Sequence, residues 1–233
     1  MGCKLFADKG SYSTADVVII HQADVLSNKN LLPQWSINPL KCWVWVNMEP
    51  PLIISNLDML DNLFNITMTF HQDSDISTPY GHLEYLKEPQ NFTIPAKSKL
   101  VASVVSKWYQ GVRGIEFEEL RKKISIDIYG AKHKRLRDKD FQSTISQYKF
   151  YKFYLFTFHK DYITEKLWSN AFGTWTVPVV LGTSHGNYER FVPGDAFIHV
   201  NDFPSPKELP AYLLELDKDD EKYRKYFNWR YKY

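Results

Sequence analysis

The chain has 233 residues, of which 44% are hydrophobic and 24% charged, so it can bury a sizeable core in one large domain or two smaller ones. Its 29 Lys and Arg residues nearly balance its 27 Asp and Glu residues, and the resulting net charge of +2 argues against a partner such as nucleic acid or an acidic membrane surface. The sequence contains no apolar run of about 18 residues, the length that spans a bilayer. Its first residues lack the apolar core of a signal peptide, so any targeting segment is expected to lie outside this chain.

The first half of the chain predicts two buried strands, at residues 17–20 and 43–46, where apolar β-branched or aromatic residues run together. A helix is predicted at residues 57–64 and a further strand at residues 66–70. Glu49 follows the second strand directly and precedes two prolines that forbid a helix. Ligands of open α/β sheets bind at such strand ends. An ordinary exposed loop glutamate is the alternative interpretation.

Several polar features of this half have two interpretations. Residues 73–81 form a polar turn whose two carboxylates favour local capping over a metal site, because the spacing fits no calcium loop. Cys3 and Cys42 would pair only in an oxidising compartment. Asn65 and Asn91 each begin an Asn-x-Thr triplet, which predicts glycosylation sites if the chain enters the secretory route.

Residues 87–97 have the composition of a linker and divide the chain into predicted domains at 1–95 and 96–233. A strand at residues 100–106 and a helix at 114–123 begin the second domain. Another strand, which ends in glycine, follows this helix. The repetition predicts a parallel, doubly wound α/β sheet.

A basic run at residues 132–139 lacks interleaved aromatic side chains, which favours a solvated loop over a nucleic-acid-binding segment. Farther along, a helix is predicted to begin with Asp161 or Thr164 as its N-cap, followed by a buried strand at residues 177–181. Lys166 would then lie at the positive end of the helix dipole. An anion bound there would explain the placement, and a solvated surface lysine is the alternative.

The last part of the sequence predicts a short helix at residues 187–192 and a strand at 197–200. A long helix is predicted to begin at a capping box formed by Ser205 and Glu208. Pro210 would fall one turn into this helix, where proline removes a backbone donor.

Ordered motifs across nearly the whole chain resemble the animal α-1,3-fucosyltransferases, glycosyltransferase family 10. The motifs are DSDI with PYG (73–81), DYITEKLW (161–168), VPVVLG (177–182), NYERFVP (187–193), FIHV with DF (197–203) and YFNWR (226–230). The resemblance implies a GT-B fold, in which two Rossmann-like halves face a cleft. It implies inverting transfer of L-fucose from GDP-fucose to N-acetylglucosamine of lactosamine-type glycans on glycoproteins or glycolipids, without an essential metal. It also implies an enzyme anchored in the Golgi membrane with its domains on the lumenal side.

The resemblance assigns roles to six side chains. Glu49 matches the base that takes the proton of the acceptor hydroxyl. The donor-binding positions are matched by Ser106, Arg113, Tyr162, Glu165 and Lys166. Of these, Arg113 and Lys166 would neutralise the leaving diphosphate, and Glu165 would bind the ribose hydroxyls.

The sequence departs from the family at the strand end that precedes the donor motif. Leu155 and Phe156 stand where the family has a glutamate and an asparagine, and Lys107 stands where it has an asparagine. Trp175 occupies a turn that usually holds small residues. The alternative to an active enzyme is therefore a catalytically impaired or truncated homologue that binds GDP or glycans without turnover.

The chain begins after the family's first strand and stops before its C-terminal segment. The anchor, the stem and one strand of the N-terminal half are therefore expected to be missing, which would leave a sheet edge unprotected.

Overall fold

The computed structural model describes residues 2–27, 32, 40–53, 60–105, 120–154, 158–205 and 207–233. The chain divides into two units, Met1–Pro79 and Tyr80–Tyr233. Residues 80–98 therefore belong to the second unit, where Leu86 and Gln90 donate backbone hydrogen bonds to the carbonyls of Lys232 and Tyr231. The boundary predicted between residues 95 and 96 stays a prediction.

The first unit is built on a parallel sheet. Within the described residues its strands, in the order β1-β2-β3-β4, are β1 (Val17–His21), β2 (Cys42–Asn47), β3 (Ile66–Thr69) and β4 (Ile76–Ser77). The predicted strands of this half are confirmed. The unit also contains helix α1 (Gln22–Ser27) and 3-10 helices at Lys9–Ser13 and Pro51–Ile53. Of the helix predicted at 57–64, residues 57–59 lie outside the described residues. Residues 60–64 form a turn instead of a helix, in which the Leu63 N–H donates to the Leu60 carbonyl at 3.2 Å.

The core of the first unit lies on one face of β1, where Val18 and Ile20 pack with Val25 and Trp43. Alternate residues on the opposite face of the same strand remain exposed, Val17 by 49% and Ile19 by 60%. Among the described strands, β1 ends the order, so its outer edge has no described partner strand beside this apolar face.

The second unit is built on another parallel sheet. Within the described residues its strands are β5 (Lys99–Val104), β6 (Ile126–Tyr129), β7 (Tyr148–Tyr154), β8 (Val177–Leu181) and β9 (Ile198–His199). They follow the order β6-β5-β7-β8-β9, which confirms the doubly wound prediction. The order reverses between β5 and β7. In such sheets ligands bind outside the carboxyl ends of the strands at this switch point.

Helices cover both faces of this sheet. They are α2 (Asp138–Ile145), a π-helix (Lys166–Phe172), α3 (His185–Tyr188), α4 (Glu208–Lys218), α5 (Asp220–Lys225) and 3-10 helices at Gly194–Ala196, Val200–Asp202 and Asn228–Tyr231. The π-helix packs Leu167 into a cluster with Tyr151 and Phe153, whereas α4 packs Leu213 into a cluster with Phe150. Double coverage explains why the described side chains of β7 and β8 are buried, except that of Lys149.

The start of the C-terminal helix corrects a prediction. The predicted capping box is wrong, because the Ser205 hydroxyl donates to the Glu208 carboxylate at 3.1 Å instead of accepting from the backbone. Helix α4 begins at Glu208, so Pro210 is its third residue. The first four N–H groups of a helix have no intrahelical partner, and this proline therefore removes no helical bond. The long helix is also interrupted at Asp219, whose side chain accepts from the Lys222 N–H and caps α5.

The basic run lies on the surface, as predicted. Lys134 pairs with Asp127 and Arg137 pairs with Asp140, so part of its charge is balanced locally. Across the described ranges, no helix is both long and apolar enough to cross a membrane.

Candidate functional site

The predicted donor-binding residues fall into two groups. Ser106 and Arg113, together with the substituted Leu155 and Phe156, lie outside the described residues. In sequence they follow β5 and β7, the two strands that flank the switch point. The described group consists of Tyr162 and Glu165, in the loop that leads into the π-helix, and Lys166, the first residue of that helix.

This loop, residues 159–165, makes a tight turn before the helix begins. The N–H of Ile163 donates to the carbonyl of Asp161 at 2.9 Å, and the Trp168 indole N–H donates to the carbonyl of Ile163 at 3.2 Å. Tyr162 is buried, and its ring meets that of Tyr80 edge-on at 6.1 Å. The tyrosine predicted to contact the nucleotide is thus fixed by a second aromatic ring.

The N-cap prediction is wrong, because Glu165 occupies the N-cap position of the helix and its side chain makes no capping hydrogen bond. The Asp161 carboxylate accepts a hydrogen bond from Arg190 at 2.7 Å. The Thr164 hydroxyl accepts from the Lys166 N–H, at 3.4 Å. The helix that follows has π geometry, with the Asn170 N–H bonded to the Glu165 carbonyl five residues earlier. Such wide turns occur frequently at functional sites.

Glu165 and Lys166 lie together at the start of the π-helix and are both partly exposed. The Lys166 ammonium lies 2.6 Å from the Glu165 carboxylate. This neighbour supplies a local anion beside the lysine, so no bound ligand is needed to explain its position. An exposed ion pair contributes only about 0–1 kcal/mol, and an ammonium has three donors. A diphosphate can therefore recruit Lys166 at little cost.

Glu49 lies beyond the carboxyl end of β2, as predicted, and is exposed. The Asn47 side chain fixes its backbone: the Asn47 amide donates to the Glu49 carbonyl at 2.7 Å and accepts from the Glu49 N–H at 2.9 Å. Sequence reasoning missed Asn47, although an asparagine two residues before a turn is a recognisable signal. The arrangement holds a carboxylate at the sheet edge with access to solvent.

The polar turn at residues 73–81 caps the sheet locally. The Asp75 carboxylate accepts from the Thr67 backbone N–H at 2.8 Å and from its hydroxyl at 2.7 Å. These bonds, the backbone one foremost, lower the pKa of Asp75. The capping prediction is confirmed. Among the described residues, no group of three or more His, Cys, Asp or Glu side chains is placed to hold a metal ion.

The two candidate glycosylation sites differ in structure. The Asn65 side chain accepts from the Trp43 N–H at 2.8 Å and donates to the Lys41 carbonyl at 2.9 Å, so it joins β2 to the start of β3. Asn91 is exposed in the irregular segment before β5. Cys3 and Cys42 are exposed free thiols in this structure.

Comparison with known families matches both units. The family model for glycosyltransferase family 10 (fucosyltransferase), C-terminal part, matches residues 94–233, and the fucosyltransferase N-terminal model matches residues 1–81. The chain belongs to glycosyltransferase family 10, the fucosyltransferases. The resemblance to the animal α-1,3-fucosyltransferases is thereby confirmed.

Relatives of this fucosyltransferase chain include two curated human proteins. It is 47% identical to 3-galactosyl-N-acetylglucosaminide 4-α-L-fucosyltransferase FUT3 of Homo sapiens and 46% identical to 4-galactosyl-N-acetylglucosaminide 3-α-L-fucosyltransferase FUT5 of Homo sapiens. Each alignment covers 98% of this chain but only 64% and 62% of the respective relative. The chain therefore spans just under two thirds of these proteins.

Solved structures agree on the fold. A crystal structure of an α1,3-fucosyltransferase matches with a TM-score of 0.65 at 17% identity, covering 93% of this chain and 70% of that one. A second, of α1,3-fucosyltransferase with GDP-fucose, matches with a TM-score of 0.61 at 19% identity, covering 83% and 68%. The fold of this fucosyltransferase chain is of the GT-B type, as predicted, with a Rossmann-like sheet in each unit.

Proposed function

We propose that this chain transfers L-fucose from GDP-fucose to the N-acetylglucosamine of lactosamine-type glycans in α-1,3 linkage, with inversion at the anomeric carbon. The observation that carries the proposal is the donor motif at residues 161–168. The chain belongs to this family and has the whole motif, which follows the switch point of the second sheet in sequence. One of the two human relatives named above is a 4-galactosyl-N-acetylglucosaminide 3-α-L-fucosyltransferase, which supports this acceptor class.

In the proposed reaction the acceptor oxygen attacks the anomeric carbon of fucose while the bond from that carbon to the GDP oxygen breaks. GDP departs with the electron pair from the opposite face. Glu49 takes the proton of the acceptor hydroxyl, a role that its exposed carboxylate can fill. Arg113 and Lys166 offset the charge that develops on the diphosphate.

The remaining donor contacts are assigned by residue type. Glu165 accepts hydrogen bonds from the ribose hydroxyls, Tyr162 contacts the nucleotide, and Ser106 donates to the donor. No metal cofactor takes part in this proposal, since cationic side chains replace it at the diphosphate. We place the working protein on the lumenal side of the Golgi membrane, where Asn65 and Asn91 would be available for glycosylation.

A second candidate function follows from one sequence observation. Leu155 and Phe156 supply no polar groups where the family has a glutamate and an asparagine. Each lost hydrogen bond to the donor costs about 1–3 kcal/mol. A homologue that binds GDP or glycans without turnover is the function that these substitutions favour.

The deciding experiment incubates the purified chain with GDP-fucose and N-acetyllactosamine and measures GDP release, in parallel with calorimetric titration of GDP. Turnover supports the transferase. Binding of GDP without turnover supports the second candidate and contradicts the first. Absence of both activities contradicts a surviving donor site and leaves only the fold in common with the family.

A further inference from the structure

The loop that leads into the π-helix is held by residues that follow β8. Asp161 opens this part of the loop, and its side chain is fully buried. Arg190 Nη1 donates to the Asp161 carboxylate at 2.7 Å. The side-chain carbonyl of Asn187 accepts from the Asp161 backbone N–H at 3.1 Å. Both the backbone and the side chain of Asp161 are therefore fixed from the same segment.

The conformation held in this way is costly. Asp161 has a φ of 63°, in the left-handed region that non-glycine residues seldom occupy. A buried carboxylate needs a paired cation, which Arg190 supplies. In the described part of the chain, the Nδ2 atom of Asn187 is buried without a hydrogen-bond partner. Backbone strain and unsatisfied polar groups tend to gather at functional sites.

The position of Asp161 shows what this arrangement controls. Tyr162 is the next residue, and its N–H donates to the His159 carbonyl at 3.3 Å to complete the turn. Glu165 and Lys166 follow within one further turn. A rotation about the Asp161 backbone would displace all three side chains together. By contrast, neither Asp161 nor Arg190 is itself among the side chains assigned to the donor.

We infer that Asp161 and Arg190 are positioning residues for GDP-fucose, which set the geometry of Tyr162, Glu165 and Lys166 without touching the donor. This inference rests on the proposed function. It assigns the two motifs, at residues 161–168 and 187–193, to one functional unit, although they lie in separate parts of the sequence.

The test measures the Kd for GDP on the full chain, at a temperature where every variant is folded. We expect Arg190→Met to raise this Kd roughly tenfold or more, since misplacing a positioned group by about 1 Å can cost on the order of 10²-fold. Arg190→Lys retains the charge and should recover part of the affinity. Asp161→Asn preserves the size of the side chain and weakens the charged pair, so it should give an intermediate Kd even if Arg190→Met does not fold.

Ile198→Val is the matched control, because it trims a buried residue of β9 in the core cluster of Leu213 and Phe150, whereas Ile163 of the loop belongs to the other cluster. It should lower the Tm and leave the Kd for GDP unchanged. If Arg190→Met and Asp161→Asn lower the Tm but bind GDP as the wild type does, their role is structural only and the inference is overturned. If the wild type itself does not bind GDP, the proposed function fails, which is a separate and recognisable outcome.

Discussion

The guanidinium of Arg230 lies 4.0 Å from the centre of the Trp175 ring and 4.4 Å from that of Trp229. Arg230 also donates to the carbonyl of Phe172, the last residue of the π-helix. Burial of this guanidinium lowers its pKa to about 10. A cation at the end of the π-helix thus gives the Phe172 carbonyl a second donor, beside the Trp175 N–H at 3.1 Å, and contacts two indole rings.

Removal of this cation should destabilise the second unit. We expect Arg230→Ala to lower the free energy of unfolding by about 2–4 kcal/mol, from the lost cation–π contacts and the lost hydrogen bond to the Phe172 carbonyl. Urea denaturation measures the change. Arg224→Ala is the control, because this exposed arginine contacts only one described aromatic ring, that of Phe92 at 4.9 Å. Equal effects of the two substitutions would contradict the special role of Arg230.

Gly81 lies directly against the ring of Trp168. A Cβ atom at this glycine would come within 2.5 Å of the indole. Because Trp168 is fixed by its bond to the Ile163 carbonyl, we expect Gly81→Ala to cost about 1–3 kcal/mol and to loosen the donor loop.

Thermal unfolding and GDP titration together measure this effect. Gly186→Ala is the comparison, since a Cβ at Gly186 meets no atom within 4 Å and alanine favours the helix by up to about 1 kcal/mol. A Gly81→Ala variant as stable as Gly186→Ala would show that the indole moves aside freely.

The lowered pKa of Lys97 predicts that the stability of the chain depends on pH. Its ammonium donates to the carbonyls of Ser146 at 2.8 Å and Thr174 at 3.4 Å, and burial, assisted by the charge of Arg230, lowers its pKa to about 8. The ordinary value is 10.5, so the unfolded chain binds more protons between about pH 8 and 10.5. The free energy of unfolding contributed by Lys97 therefore rises with pH through this window.

The measurement compares the wild type with Lys97→Met by urea denaturation at pH 7.5 and 9.5. We expect the difference in stability to move in favour of the wild type at the higher pH. Lys139→Met controls for the change in net charge on the surface. Parallel pH profiles for the wild type and Lys97→Met would refute the assignment.

Asn65 and Asn91 should respond differently to the same substitution. Asn65→Gln removes the acceptor of the buried Trp43 backbone N–H and should cost about 1–3 kcal/mol. Asn91→Gln changes an exposed side chain and should stay within about 0.5 kcal/mol of the wild type. Both variants are compared as unglycosylated protein, so that the difference reports the structural bond alone. A neutral Asn65→Gln would mean that water replaces the amide.

Most of the strands could be predicted from the sequence because they are short apolar runs, which are buried on one face or on both. Residues 177–181 are an example, since all five are buried between helices. The capping of Asp75 was also accessible, because its partner Thr67 is only eight residues away. Local patterns were therefore sufficient where the decisive contacts were local.

Other features depended on partners far along the chain. Aspartate is a residue type that favours the N-cap position, but the carboxylate of Asp161 accepts a hydrogen bond from Arg190, 29 residues later. Trp175 adopts a φ of 58°, in a turn where the family usually has small residues. Arg230 and the ring of Phe227, at 6.3 Å, accommodate its indole. Such long-range contacts leave no periodic signal in the sequence, so residue type alone misassigned these positions.

The substitutions at residues 155 and 156 lead to a final prediction. If they weaken the donor site, the double change Leu155→Glu with Phe156→Asn should lower the Kd for GDP-fucose and raise turnover by about tenfold or more, since each restored contact is worth roughly 1–3 kcal/mol. Phe158→Asn is the matched control, because it adds a polar group at a neighbouring exposed position. Steady-state kinetics with N-acetyllactosamine measures the change. A double variant no better than Phe158→Asn would mean that these two positions do not correspond to the family's glutamate and asparagine.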